Sequence, residues 1–413
     1  MRDIAGNARD PIAAVAVVAD DLTGAADAAG AFAAAGLTTA VTWSAERIPD
    51  LLGTVDAIAI DAGTRARDAV HAAVRMRALV GLLRASGVET VYKKSDSLVR
   101  GHIGVEAAAV LDSWHREAIG IVALAFPDAG RTTVEGRQYA KELVDGVAIA
   151  PLFEQAGLKT AAINLDTVRH GRASDYVSAL RASHARVVVC DATSRTDLAA
   201  IVQAGTALGV PVVWVGSGGL ARALASASVD CRRVRRPTLP AVPRRGPVMI
   251  VCGSASDVAR EQVARVVASG VAGVEIPASI VRPDRSRERH VMVDAILQHV
   301  DAGRDVIIFT SAPNEPIDPG VSRALGALLT PLGERVGGLV VTGGDTASAV
   351  LGAWGITGLR IVGEIEPGVS IAIASGALGI AVVTKPGAFG SAGVLIEARG
   401  RLHARLREAA RTS

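Results

Sequence analysis

The sequence predicts an α/β protein made of two Rossmann-like domains with mostly parallel sheets and an interdomain cleft. Three observations carry that expectation. Short unbroken apolar runs alternate with helical patterns along the chain, which is the signature of a parallel sheet covered on both faces. Most of the runs end in an acidic or glycine-rich turn, as in AVVADD, AIAIDAG, VYKKSD and VVTGGD. The alternation is interrupted once, by CRRVRRPTLPAVPRRGP at 231–247, which has six arginines, four prolines and no periodicity. That composition reads as an exposed linker, so the expected organisation is a domain at 1–230, a basic Pro-rich linker at 231–247 and a domain at 248–413.

The residues before Val15 read as a short leader. Val15 to Ala19 form a buried strand, Asp20 and Asp21 a polar turn, and Thr23 and Gly24 open a long Ala-rich helix. One acid could cap that helix by accepting orphan backbone N–H groups, but capping does not require both. In an open α/β sheet ligands bind outside the carboxyl ends of the strands, so this turn is expected to grip a hydroxylated or cation-bearing ligand. Apolar runs at 38–43 and 55–60 follow, the second ending in Asp61 with Thr64 and Arg65 beyond it. VETVYKKSDSLVRGHIG then places Lys93, Lys94, Asp96, Ser97 and Arg100 between a strand and a helix at roughly 104–116. Further strands end near Asp128 and Arg131, near Asp166, near Asp191 and at GSGGLA. A minority of these acids should line one pocket, with Arg65, Lys93 or Lys94, Arg100 and Arg131 supplying the opposite charge. Such a polar cleft suits a small oxygen-rich anion.

The second half repeats the alternation with three turns of a different kind. Gly253, Ser254 and Ser256 follow one strand, and Gly343, Gly344, Asp345 and Thr346 follow another. Gly387 and Gly390 lie in KPGAFGSAG, with Lys385 just before them as a movable positive charge. Glycines let the backbone turn tightly, and the following helix presents unsatisfied N–H groups that favour phosphate. Asp345 is a candidate for orienting magnesium, with simple helix capping as its alternative.

Composition excludes several classes. The chain has 413 residues, 44 Lys and Arg against 41 Asp and Glu, and only 3% aromatic residues. A balance this even, without interleaved stacking residues, argues against a nucleic-acid surface. Cys190, Cys231 and Cys252 have no CxxC spacing, which excludes a Cys-rich metal site and fits a reducing, cytoplasmic compartment. The first apolar run is too short for a membrane span. No GxxxxGK[ST], HExxH or GxSxG pattern occurs, so a P-loop, a zinc protease helix and a nucleophile elbow are not expected. GSGGLA at 216–221 is a loose GxGxxA match. It keeps an NAD(P)-dependent oxidoreductase of a small hydroxy acid as the alternative, without the acidic strand end about 20 residues on that such a site uses.

Taken in order, VVADDLTGAADAAGAF, VYKKSDSLVRGHIG, FPDAGRTTVEGRQY, VVVCDATSRTDLAAI, GSGGLA, CGSAS, TGGDTASAVL, IVGEIEPGVSIAI and KPGAFG resemble successive motifs of the four-carbon acid sugar kinase family. The resemblance covers roughly residues 14–397. It implies ATP-dependent phosphorylation of the terminal C4 hydroxyl of threonate, erythronate or 3-oxo-tetronate, with an N-terminal sugar-acid-binding domain and a C-terminal nucleotide-binding domain. Its ADDxTG motif falls on Asp20, Asp21, Thr23 and Gly24, and its DSxxRGxxG motif on Asp96, Ser97, Arg100, Gly101 and Gly104. Asp21 is the expected base and Asp20 its substrate-binding partner. Arg65, Lys93, Lys94, Asp96, Ser97, Arg100 and Arg131 are expected around the acid. Ser254, Ser256, Gly343 to Thr346, Lys385, Gly387 and Gly390 are expected around ATP, with Asp345 on Mg²⁺. Closure of the two domains should bring the γ-phosphoryl group in line. The implied partners are a small-molecule sugar acid and ATP, with neither nucleic acid nor membrane. A homodimer is admissible at this size, and a non-catalytic sugar-acid-binding protein is a second alternative.

Overall fold

Val- and Ile-rich runs become strands here because β-branched side chains suit a pleated layer covered on both faces. The computed structural model describes residues 15–229, 245–254, 256–281, 285–311, 319–376 and 378–412. Most of the expected linker at 231–247 lies outside the described residues. The first half contributes β1 (Val15–Ala19), β2 (Thr39–Thr42), β3 (Ala57–Asp61), β4 (Thr90–Lys94), β5 (Ile119–Ala123), β6 (Thr132–Val134), β7 (Arg137–Ala140), β8 (Leu143–Ala148), β9 (Thr160–Ile163), β10 (Val187–Cys190) and β11 (Val212–Gly216). The second half contributes β12 (Val248–Cys252), β13 (Ala272–Pro277), β14 (Val306–Ser311), β15 (Gly338–Thr342), β16 (Gly358–Glu366), β17 (Val369–Ser375) and β18 (Ala381–Lys385).

In the first half the parallel order is β2-β3-β1-β4-β11-β5-β10-β9. The chain leaves β1 toward β3 on one side and resumes with β4 on the other, so the end of β1 is a topological switch point. In the second half β12 lies between β14 and β15 in the same manner. Crevices open at such points, outside the carboxyl ends of the strands. The two crevices hold the Asp20–Asp21 turn and the glycine turns after β12 and β15.

The two halves do not keep separate sheets. LRIVGEIEPGVSIAI folds into a hairpin, β16–β17, turned at Gly368 with φ of +83°. β16 then pairs antiparallel with β2, from Gly358 opposite Thr42 to Ile361 opposite Thr39. Among the described residues a single sheet of fifteen strands results. The pairing satisfies backbone groups that an edge strand at β2 would otherwise leave open.

The opening helix, Leu22–Ala34, is packed from both halves, which is why its sequence is apolar nearly all round. Ser370 Oγ donates to the Ala26 carbonyl at 2.8 Å. A Cβ on Gly30 would lie 2.5 Å from Ser370 Oγ and 3.2 Å from Glu364, so glycine there permits the close approach. The segment FPDAGRTTVEGRQY, which carries no strand signal, supplies β6 and most of β7, and with β8 after it forms the small antiparallel sheet β6-β7-β8. Asp191 anchors its first turn by accepting from the Glu135 and Gly136 N–H groups, both at 2.8 Å. Among the described residues no helix is long and apolar enough to cross a membrane.

Candidate active site

A cleft of about 370 Å³ is lined by both halves of the chain. On its first side, Asp21 has extended backbone and caps the opening helix. One carboxylate oxygen accepts from the Gly24 N–H at 2.8 Å, the other from the Thr23 hydroxyl at 2.8 Å and from Arg65 Nη1 at 2.7 Å. Asp20 shares the Arg65 guanidinium with Asp21 but does not line the cleft. It is 2% exposed, and both its oxygens are held by Arg65, at 2.8 Å from Nε and 3.0 Å from Nη2. Burial opposes its charge, but the Arg65, Lys93 and Lys94 charges outweigh that and lower its pKa. Asp20 is therefore the counterion that sets Arg65, a correction to its expected contact with substrate.

Strand alternation separates the two lysines at the end of β4, since neighbouring strand residues face opposite sides. Lys93 is fully buried, 2.8 Å from Glu106, and donates to its own neighbour's carbonyl. It does not reach the cleft. Lys94 lines the cleft, and the carboxylate it approaches is Asp27, at 3.6 Å.

The loop after β4 is shaped by Asp96, which accepts from Arg100 Nε and Nη2, both at 2.8 Å, and from the Leu98 and Arg100 N–H groups. Burial works against its ionisation, but the Arg100 hydrogen bonds and the Arg65 and Arg100 charges hold it well below the usual carboxylate range. Val99 is forced to φ of +63°, a costly conformation for a β-branched residue. Gly101, at φ +83°, brings its backbone over Asp20. Gly104 lies off the cleft, where a Cβ would strike the Leu152 carbonyl.

Arg131 differs from the other two arginines of the cleft. It is 4% exposed, donates to Ser97 Oγ and stacks 4.8 Å from the centroid of the Phe389 ring. It forms no ion pair with any carboxylate among the described residues. Burial lowers its pKa, as expected for a cation without a close counterion.

Across the cleft, Ser256 caps the helix Asp257–Ala268 and donates to the Gly387 carbonyl at 3.0 Å. Gly343, with φ of +96°, precedes the helix Gly344–Ala353. A Cβ on Gly253 would strike Thr346 Oγ1, and one on Gly387 would strike Ser254 Oγ. These turns thus press bare backbone, the glycines 253, 343, 344 and 387 and the hydroxyls of Ser254, Ser256 and Thr346 into one wall. Hydroxyls, open turns and a helix N-terminus are a donor set that fits phosphate. Asp345 is exposed in the first turn of that helix. Among the described residues no group of three or more His, Cys, Asp or Glu is arranged to hold a metal. Mg²⁺ characteristically takes one or two carboxylates together with substrate phosphates, a requirement that Asp345 fits.

Two expected nucleotide residues lie elsewhere. Lys385 is fully buried and donates to the carbonyls of Pro386, Gly387 and Phe389 at 2.9, 3.0 and 3.0 Å. Burial pushes its pKa down to about 8. It shapes the KPGAFG loop and is not a movable charge. Gly390 supplies the loop's left-handed residue, and its carbonyl accepts from Gln262. GSGGLA is used for packing: Ser217 Oγ donates to the Ala125 carbonyl at 2.7 Å, and Cβ atoms on Gly216 or Gly219 would meet backbone oxygens at 2.5 Å.

The halves meet at Asp21, where a Cβ on Gly344 would lie 2.5 Å from Asp21 Oδ2 and 3.3 Å from Thr23 Oγ1. Among the lining residues that the sequence reading does not single out are Asp27, Ser322 and Phe389. The signal for Asp27 was an acid inside an otherwise apolar helix. Phe389 lay unremarked within a glycine motif, and its ring packs 5.7 Å from that of Phe126.

Comparison with known proteins gives two family matches along the chain. Residues 15–224 match the family of sugar-binding N-terminal domains, and residues 249–395 match the family of nucleotide-binding C-terminal domains. A D-threonate kinase of Cupriavidus necator is 36% identical over 407 residues, covering 92% of this chain and 95% of the relative. A D-threonate kinase of Salmonella typhimurium is 32% identical, with 92% and 96% covered. A 3-oxo-tetronate kinase of Cupriavidus necator is 30% identical, with 93% and 96% covered. Two crystal structures share the fold at lower identity. One, a Salmonella typhimurium LT2 protein named as a tRNA synthase, has a TM-score of 0.77 at 23% identity, with 94% of this chain and 99% of that one covered. The other, from Haemophilus influenzae, has a TM-score of 0.67 at 22% identity, with 93% and 99% covered. By its two matching domains and its full-length relatives, the chain belongs to the four-carbon acid sugar kinase family, a family of carbohydrate kinases.

Proposed function

We propose that the chain transfers the γ-phosphoryl group of ATP to the terminal C4 hydroxyl of a four-carbon sugar acid, with D-threonate the first candidate. The observation that carries this reading is a buried guanidinium, Arg131, with no carboxylate partner among the described residues, facing a serine and glycine wall across one cleft. Arg65 is neutralised by Asp20 and Asp21, and Arg100 by Asp96. Arg131 and Lys94 are left to receive the acid's carboxylate, where a guanidinium can form paired charge-assisted hydrogen bonds. Residues 1–230 then act as the sugar-acid half and 248–413 as the nucleotide half.

Asp21 orients the terminal hydroxyl and accepts its proton. A carboxylate offers about four lone-pair sites, and three donors already fix this one. The remaining site is on Oδ1, the oxygen that accepts only from the Gly24 N–H. Ser254, Ser256, Gly343 to Thr346 and Gly387 hold phosphate oxygens, and Asp345 holds Mg²⁺. The ion supplies neutralisation of phosphate charge; the residues of the cleft exclude water and align the acceptor, where most of the rate in phosphoryl transfer arises.

The test is ADP release by the purified chain with Mg²⁺, ATP and a panel of D-threonate, L-threonate, D- and L-erythronate and 3-oxo-tetronate, with the product's phosphate located by NMR. Acid-dependent ADP release with a C4 phosphate is the expected result. An NAD(P)H absorbance change, or no turnover of any C4 acid, overturns the proposal.

A further inference from the structure

Resting on that reading, we propose that Asp27 is a specificity-determining residue whose incompletely paired carboxyl group binds a secondary hydroxyl of the sugar acid, at C2 or C3. Asp27 is 3% exposed on the opening helix, among alanines and glycines. Burying a carboxyl there is costly unless something pairs with it. Its Oδ1 has no hydrogen-bond partner, and its Oδ2 stands 3.6 Å from Lys94 Nζ, beyond hydrogen-bond reach. Burial raises its pKa, with Glu364 adding to the rise against Lys94 and Arg222.

The surroundings keep room for this carboxyl. Gly218 lies so close that a Cβ would strike both its oxygens and the Phe126 ring. Gly368, held at φ +83°, passes its other side. The position also matches the molecule proposed to bind. Thr23 and Asp27 are spaced i, i+4 on one helix face, so Asp27 sits about 6 Å deeper than the Asp21 seam. A four-carbon acid with its terminal hydroxyl at Asp21 and its carboxylate at Arg131 and Lys94 carries its C2 and C3 hydroxyls between them, beside Asp27.

The experiment is calorimetric binding, without ATP, of D-threonate, 3,4-dihydroxybutanoate (lacking the C2 hydroxyl) and 2,4-dihydroxybutanoate (lacking the C3 hydroxyl). The proteins are full-length wild type, Asp27→Asn and Asp27→Ala, each checked for an unchanged melting profile. Wild type is expected to bind one of the two deoxy acids about 10- to 100-fold more weakly than D-threonate. That penalty should collapse to a few-fold in Asp27→Ala and shrink in Asp27→Asn, the coupling expected of directly interacting groups. Should Asp27→Ala not fold, the isosteric Asp27→Asn alone carries the comparison. A penalty that survives intact in the folded variants overturns the assignment of Asp27 while leaving the sugar-acid reading in place. Failure of wild type to bind any of the three acids overturns the sugar-acid reading itself and, with it, the role given to Asp27.

Discussion

Gly344→Ala should separate the catalytic seam from the fold. Gly344 begins a helix, and alanine there gains up to about 1 kcal/mol of helix propensity. Its backbone does not need the left-handed region. The new methyl, however, would stand 2.5 Å from Asp21 Oδ2 and 3.3 Å from Thr23 Oγ1. Asp21 would have to retreat about 1 Å, against short hydrogen bonds from Gly24, Thr23 and Arg65, and a shift of that size near the reacting atoms costs about 100-fold in rate, or roughly 3 kcal/mol at the transition state. Gly352, in the same helix, has nothing within 4 Å of its Cβ position and serves as the control. The assay is kcat at saturating ATP and acid, beside a calorimetric melting temperature for each protein. The expected result is a kcat near 1% of wild type for Gly344→Ala with a melting temperature within a few degrees, and no change in kcat for Gly352→Ala. A Gly344→Ala enzyme with near-normal kcat would remove Asp21 from the reacting centre.

Three further outcomes are expected. Arg131→Met should raise KM for the acid by about 10- to 100-fold while KM for ATP stays within a few-fold, and Arg131→Lys should recover only part of the loss because it lacks the planar fork; steady-state kinetics in both substrates decide it. Lys93→Met leaves Glu106 buried without its partner and should cost roughly 3–5 kcal/mol of stability, read by denaturant unfolding; an unaltered midpoint with lost acid binding would return Lys93 to the site. Asp61 is raised to about 7 by burial and by the Asp21 charge, so the folded state binds more protons than the unfolded chain from about pH 4 to 7 and this contribution to stability is lost as pH rises through 7. At about 1.4 kcal/mol per pH unit the ionised form costs roughly 4 kcal/mol, and Asp61→Asn, which keeps the acceptor for the Gly63 N–H, should flatten that slope in unfolding measured from pH 5 to 9.

The turns of this site are legible in the sequence because their chemistry is local. A strand end with an acid, or with glycines and a hydroxyl, announces a crevice whatever the strand order, and most residues that line the cleft come from such turns, with Asp27 and Ser322 inside helices as exceptions. What was not legible is which of two like neighbours faces the crevice. Lys93 and Lys94 differ only by one step of strand alternation, whose phase is set by the packing of the whole sheet, and Asp20 and Asp21, just past β1, differ only in how they share Arg65. Lys385 was misread for a related reason: its charge is absorbed by carbonyls of the loop it precedes, a folded-back arrangement with no spacing of its own. The β2–β16 pairing has no local mark, since it joins edges more than 300 residues apart.

That pairing changes how the two half-sites come together. Separate lobes would need to close on their ligands, as the sequence leads one to expect, but a hinge at this seam would have to shear the β2–β16 ladder. It would also part Arg222 from Glu364, 2.5 Å apart and mostly buried, and break the Ser370 to Ala26 hydrogen bond. Separating a buried pair alone costs roughly 3–5 kcal/mol, and each ladder bond adds about 1 kcal/mol, which together rival the binding energy of a small acid. The fused sheet therefore holds Asp21 against the Gly344 turn, which on the proposed reading builds part of the alignment into the fold. Phe389 comes from the nucleotide-side loop, yet its ring packs on Phe126 and under Arg131 of the sugar side, so an acid drawn to Arg131 and a phosphate seated on the Gly387 turn press on the same ring.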